Sequence, residues 1–534
     1  MTQDSSHTAA DATAADDTTA DDTDTLVATR AGVVRGGRTG TTLSWKGIRY
    51  AEAPVGPLRW RAPRPAAPWD GVADATAYGP VSPQLRNPAV PLGPDAVMDE
   101  DCLRLNVWRS AADAAEPLPV MVWLHGGAYT FGASSQPLFD GSAFVSTGEV
   151  VLVTVNYRVG ALGFLDLTSY ATEEERFDSN LALRDVLLAL EWVRQNIGAF
   201  GGDPEHVTVF GESAGGGLVT SLLATPSAAG LFHRAIAESS PVSSMYGTER
   251  SRAVATRMLR QLDIADGDIR RMRELPADAI VDAAAIVYAA VPSEEPGTLA
   301  FAPVVDGDIL PEHPITVLRD GRGHPVPLII GTNKDEAALF KFMKSPLIPI
   351  TDDKLTAMVA RIAEENPDVE IPSREQVLDA YEGLRAHAVG LAVARDIGFR
   401  MPTVWAAEGH AAIAPVWLYR FDYATPMLKL LGIGATHATE LPYVWGNLDG
   451  GPKDITFRLG GRATGRALSA RLQARWLAFA CGGAPDIVAD GGGWPAYDPA
   501  AARATLVIDR HDAIVDDLDA GIRAGWGDEV LSFT

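Results

Sequence analysis

Cysteine is scarce: Cys102 and Cys481 are the two in 534 residues, far apart in the chain. They offer no disulfide framework, and their scarcity fits a reducing compartment. Uninterrupted apolar runs near the ~18–20 residues that span a bilayer are missing. Residues 1–25 hold no basic stretch followed by an apolar one, so no signal peptide is expected and the cytoplasm is the default location. Positive charge is also in short supply, with 45 Lys and Arg against 69 Asp and Glu and a net charge of −24. Such a surface repels phosphate backbones and anionic lipid, so neither nucleic acid nor membrane is an expected partner, and the plain consequence is solubility. The nucleotide pattern G-x-x-x-x-G-K-[ST] and the zinc pattern H-E-x-x-H do not occur. The acidic stretch Asp266-Gly267-Asp268 fails as a calcium loop because Leu262 and Ile264 stand where acids are needed. No cofactor and no metal is expected.

What is present begins with a tail. Residues 1–25 are almost wholly Ala, Thr and Asp, with seven aspartates and no Lys or Arg. They cannot bury enough apolar surface to offset their ordering entropy and are expected to be disordered. Residues 26–534 read as one globular domain without linker or fixed-period repeat, and a monomer is the expected state. Strand-like runs at 120–124, 150–157 (VVLVTVNY), 206–210 (HVTVF), 327–330, 416–423 and 505–508 alternate with helical spacing at 181–197 and 214–224. That alternation predicts an α/β fold with a large, mostly parallel central sheet flanked by helices.

One stretch carries chemistry. Gly211-Glu212-Ser213-Ala214-Gly215 fits G-x-S-x-G between the strand HVTVF and a helix, the strand–turn–helix setting in which a serine is presented as a nucleophile. Its glycines permit the tight turn, and Ser213 would stand at a helix N-terminus that favours developing negative charge. The bland alternative is a glycine-rich connection with a capping serine. Upstream, His125-Gly126-Gly127-Ala128 follows the run VMVWL. A tetrahedral oxyanion needs fixed N–H donors at about 2.7–3.1 Å. Gly127 and Ala128 are expected to supply two, and Ala214 a third.

With these motifs the chain resembles the type-B carboxylesterases, which include bacterial p-nitrobenzyl esterases and, more distantly, cholinesterases. The resemblance runs through WKGIRYA (45–51), APVGPLRW (53–60), EDCLRLNV (100–107), NYR (156–158), FGGDP (200–204), GTNKDE (331–336), His437 with ELPYVWG (440–446), and WPAY (494–497). It implies the α/β-hydrolase fold and a serine carboxylesterase acting on small-molecule esters through an acyl-enzyme on Ser213. It also implies Glu336 as the acid of the triad and His437 as the base, in the chain order Ser…Glu…His of this fold. Asp335 is the rival acid and is kept as a structural or surface residue. Of the histidines after Glu336, namely His387, His410, His437 and His511, only His437 lies in a matching block. The midpoint of the pH profile is expected near the unperturbed imidazole value of ~6.5, adjusted by burial and by Glu336.

Departures limit the likeness. Ala337 stands where the family usually has Gly. Ser82 replaces the cysteine that pairs with the one in EDC in secreted relatives, so Cys102 is expected to be a free, buried, inert thiol. No aromatic residue lies between Ser82 and Cys102, which argues against a choline ester. Arg59 and Glu100 match a structural ion pair of the family. Two other functions remain open: an amidase or carbamate hydrolase using the same triad, and a catalytically silent binding or adhesion protein, whose relatives typically lack a triad residue.

Overall fold

Alternate residues of the inner strands face opposite sides of one sheet, and both sides are covered. Val120, Val122 and Leu124 enter one hydrophobic cluster while Met121 and Trp123 enter another. The same alternation separates Val151, Val153 and Val155 from Leu152, and Leu328 and Ile330 from Ile329. A strand buried on both faces has no polar side to show, which is why these segments read as unbroken apolar runs. Helix Leu181–Asn196 covers the first face with Leu183, Val186, Leu190 and Val193. Helix Arg462–Ala480 covers the other with Leu468, Leu472, Trp476 and Phe479.

The computed structural model describes residues 24–265, 267–384, 386–450, 454–485 and 493–533. The expected tail therefore lies, through residue 23, outside the described residues, as do Asp266 and the side chain of His387. Thr25 is already packed: it is buried, and its carbonyl accepts from Trp45 Nε1 at 2.7 Å and from the Gly36 N–H at 2.9 Å.

The central sheet has 11 strands. From one edge they are Ala513–Val515, Thr505–Ile508, Val416–Phe421, Leu328–Asn333, Arg234–Glu238, Gly202–Glu212, Leu118–Leu124, Val151–Val155, Arg104–Ser110, Thr42–Arg49 and Gly37–Thr39. Pairing is parallel from Thr505–Ile508 through Val151–Val155 and antiparallel beyond it at both edges. This is the mostly parallel, helix-flanked sheet that the alternation of elements predicts.

Boundaries differ in one informative place. The glycine-rich FGGDP block reads as the end of a helix, but the structure divides it. Gly201, at φ +83°, closes the turn after Ile197–Phe200, and Gly202 already pairs with Leu118 in an 11-residue strand. The register shifts between Leu118 and Val120, which leaves Pro204 at an interruption of the ladder, where a residue without an N–H is tolerated.

Arg59 and Glu100 form a two-pronged pair at 2.7 and 2.5 Å, and Arg59 Nη1 also donates to the carbonyls of Arg273 and Leu275. Cys102 is a free, buried thiol that burial pushes up to about 12.

Candidate active site

Strands Leu118–Leu124, Gly202–Glu212, Leu328–Asn333 and Val416–Phe421 run parallel, so the loops that follow them open at one end of the sheet, the end at which open α/β sheets bind ligands. Those loops carry the Gly126–Ala128 segment, Ser213, Glu336 and His437 respectively.

Ser213 joins strand to helix Ala214–Leu223 with φ +55° and ψ −123°, a conformation that a side chain rarely adopts. The turn is held by the Ser213 N–H donating to Glu238 O at 2.9 Å and the Gly217 N–H donating to Ser213 O at 2.8 Å. The flanking glycines are steric necessities. A Cβ on Gly211 would lie 2.6 Å from the Gly215 carbonyl carbon, and one on Gly215 only 2.0 Å from Leu124 O.

His437 Nε2 lies 2.8 Å from Ser213 Oγ, and Nδ1 lies 2.6 Å from Glu336 Oε2. The other carboxylate oxygen, Oε1, accepts from Ser239 Oγ at 2.6 Å and from the Asn333 N–H at 2.7 Å. Asn333 Nδ2 also donates to Thr436 O at 2.8 Å, which ties the His437 loop to the end of the Glu336 strand. Asp335 faces elsewhere: its Oδ2 accepts from the Ala435 N–H at 3.1 Å and braces the turn at Gly434. His410 is buried with Nε2 donating to Val326 O at 2.8 Å, away from Ser213.

A further carboxylate enters the group. Glu212 Oε1 lies 3.3 Å from His437 Nε2 and has no hydrogen-bond partner among the described residues. Burial pulls the imidazole down, but the charges of Glu212 and then Glu336, with the hydrogen bond from Glu336, outweigh it and hold His437 above its ordinary range. Burial raises Glu212 in turn, against the pull of His437.

Beside Ser213, Gly127 takes φ +123°, while Ala128 and Tyr129 take +51° and +57°. This left-handed run turns the loop so that the Thr130 and Phe131 N–H groups donate back to Gly127 O at 3.0 and 2.8 Å. The N–H groups of Gly127, Ala128 and Ala214 make no hydrogen bond among the described residues, and all three residues border one cavity with Ser213 and His437. His125, which burial pushes down to about 4, is a neutral brace at neutral pH: its ring stacks on Tyr157 at 4.3 Å and Nδ1 donates to Gly126 O at 2.9 Å.

Comparison with known proteins decides the family. The model of the "Carboxylesterase family" matches residues 23–520. The chain belongs to that family. It is 38% identical over 505 residues to the para-nitrobenzyl esterase of Bacillus subtilis, covering 92% of this chain and 96% of that one. It is 33% identical over 417 residues to the phenmedipham hydrolase of Pseudarthrobacter oxydans, covering 76% and 79%. Among solved structures, a PNB esterase superposes with a TM-score of 0.81 at 37% identity, over 94% of this chain and all of that one. A Geobacillus stearothermophilus carboxylesterase gives 0.80 at 37% over the same shares. The protein is a carboxylic-ester hydrolase of α/β-hydrolase fold.

The cavity of this carboxylesterase has a volume of about 200 Å³. Phe131, Tyr288, Leu299, Phe340, Phe399 and Phe533 make much of its wall, and Glu212 and His437 are the charged side chains that line it. Phe399 and Phe340 lie against the imidazole, with ring centroids at 4.8 and 5.3 Å. Among the described residues no helix is long and apolar enough to cross a membrane.

Sequence reasoning missed several members of this esterase site. Glu212 occupies a variable position of the nucleophile motif, and its acidity was the available signal. Glu440 lies within the ELPYVWG block, where nothing local marks it for a role. In the structure it is fully buried and receives the Asn333 amide. Burial and the charges of Glu212, Glu238 and Glu336 raise it well above the carboxylate range. Glu238, also buried, accepts from Trp476 Nε1 at 2.7 Å and is pushed up by burial to about 8. Ser239 had no sequence signal.

Proposed function

We propose that this carboxylesterase hydrolyses neutral, apolar esters through an acyl-enzyme on Ser213. The observation that carries the reading is the unbroken hydrogen-bonded line from Ser213 Oγ through His437 to Glu336. As Oγ attacks the ester carbonyl, His437 Nε2 takes the hydroxyl proton, and Glu336 stabilises the imidazolium and holds its tautomer. The carbonyl oxygen, now an oxyanion, turns to the N–H groups of Gly127, Ala128 and Ala214. Collapse breaks the bond to the alkoxide, which leaves with the proton from Nε2 as free alcohol. Water repeats the cycle: His437 takes its proton, hydroxide adds to the acyl carbon, and Ser213 Oγ departs with that proton while the acid is released.

The substrate class follows from the walls. An anionic acyl or alcohol group would lose its hydration among phenylalanines with, among the described residues, no cation but His437 to meet it. A monomeric, cytoplasmic enzyme belongs to the same proposal, supported by two free thiols and an acidic surface. An amide or carbamate could use the same residues but leans harder on protonation by His437. Comparing p-nitrophenyl acetate with p-nitroacetanilide separates these readings. The test of Ser213 is a fluorophosphonate label. It should map to Ser213, with label and activity both lost in Ser213→Ala, whereas label on another serine would overturn the assignment.

A further inference from the structure

Beyond one wall of the catalytic cavity lies a second cavity of about 170 Å³. The two share two lining residues, Phe131 and Tyr288, whose rings meet edge to face with centroids 5.4 Å apart at 83°. Two aromatic rings are thus the partition between Ser213 and this side chamber.

The chamber is built for hydrocarbon. Val159, Leu162, Ile280, Val281, Ala284 and Ala285 line it, and among the described residues no Asp, Glu, Lys or Arg does. Two of its polar side chains, Gln84 and Thr130, are spent on the fold. Gln84 Nε2 donates to Ser82 O and Gly132 O at 3.0 and 2.9 Å, and its Oε1 accepts from the Gly132 N–H at 2.7 Å. Thr130 Oγ1 donates to Ala128 O at 3.1 Å. A purely apolar cavity of ~150 Å³ stays dry and takes up benzene, so one of this size and lining favours an alkyl or aryl group over water. Leu85 in its lining is 43% exposed, so the chamber reaches towards the surface.

The partition can yield without disturbing the chemistry. The Phe131 N–H donates to Gly127 O, which fixes its backbone within the oxyanion loop, so its ring can swing about χ1 while the donors stay in place. Tyr288 projects from helix Ala277–Glu294, and its hydroxyl has no hydrogen-bond partner among the described residues that a swing would break.

We propose that the side chamber is a subsite for the long apolar chain of an ester, entered from the catalytic cavity by displacing the Phe131–Tyr288 ring pair. This rests on Ser213 as the reacting residue. Short esters occupy the catalytic cavity alone, and longer chains gain the chamber.

Steady-state kinetics test it through two ratios of kcat/KM: p-nitrophenyl octanoate over p-nitrophenyl acetate, and octyl acetate over ethyl acetate. The first reports a long acyl chain and the second a long alcohol. Ala285→Phe, which fills the chamber from the helix that also carries Tyr288, should lower one of the ratios by about tenfold or more. Tyr288→Ala, which opens the partition, should raise the same ratio. Val281→Phe takes the place of Ala285→Phe if the latter does not fold. Both ratios staying at their wild-type values in the filled variant would overturn the proposal. Failure of the Ser213 reading shows differently, as p-nitrophenyl acetate turnover surviving in Ser213→Ala.

Discussion

Glu212 Oε1 stands 3.3 Å from His437 Nε2, the same nitrogen that lies 2.8 Å from Ser213 Oγ. A base that must be neutral to accept the serine proton therefore has a carboxylate beside its reacting nitrogen as well as one behind it. Both favour the imidazolium, so the proton leaves His437 at higher pH than from a free imidazole. Activity should rise with pH through a midpoint above the unperturbed ~6.5 that the sequence alone suggests. Glu212→Gln removes one of these two charges, so the midpoint should move down. The kcat/KM profile on a neutral ester checks this, and a midpoint that stays put or rises would contradict the electrostatic role given to Glu212.

The two neighbouring acids should separate cleanly. Glu336→Gln keeps the shape but cannot stabilise the imidazolium, and in triads of this kind such a change lowers kcat by about 10⁴. Asp335→Asn should cost far less, because its oxygen can still accept from the Ala435 N–H. The opposite ranking in turnover, with both variants folded, would exchange their roles.

Gly215→Ala is expected to damage the fold rather than the chemistry. The new Cβ would lie 2.0 Å from Leu124 O and 2.8 Å from His125 O, both backbone atoms, so helix and strand must part. Overpacking at backbone should cost about 3 kcal/mol or more. Gly37→Ala, where nothing lies within 4 Å, is the control and should leave the urea midpoint nearly unchanged.

Bulky alcohols should be accepted slowly. Gly127 and Ala128 leave little side chain beside Ser213 in the cavity they border. Hydrolysis of tert-butyl acetate should be measurable, slower than that of n-butyl acetate, and lost in Ser213→Ala. Brisk n-butyl turnover with none for tert-butyl would mean that the aromatic walls close over the loop.

What could be read from the chain depended on whether the signal was local. The inner strands announce themselves because burial on both faces makes them apolar throughout, as at Val151–Val155. Ser213 and the Gly126–Ala128 loop are legible because tight backbone approach demands small residues in fixed order. Glu336 and His437 became visible through the blocks around them, since neither has a spacing of its own that points to the other. Glu212, Glu238 and Glu440 were opaque as a group: nothing in a glutamate's neighbours says that it will be buried against another. The pairing of Phe131 with Tyr288 is likewise a product of tertiary packing, invisible until a helix is laid across a loop.

The backbone of Ser213 sets reactivity against durability within a single residue. Its φ and ψ belong to the first central position of a II′ turn, where glycine is the comfortable occupant, and a side chain held there costs on the order of 1–3 kcal/mol. The sheet and helix on either side hold it there, and unfolding releases it. An inert Ser213→Gly protein should therefore melt above the working esterase. Selection for robustness alone would erase the very atom that does the chemistry.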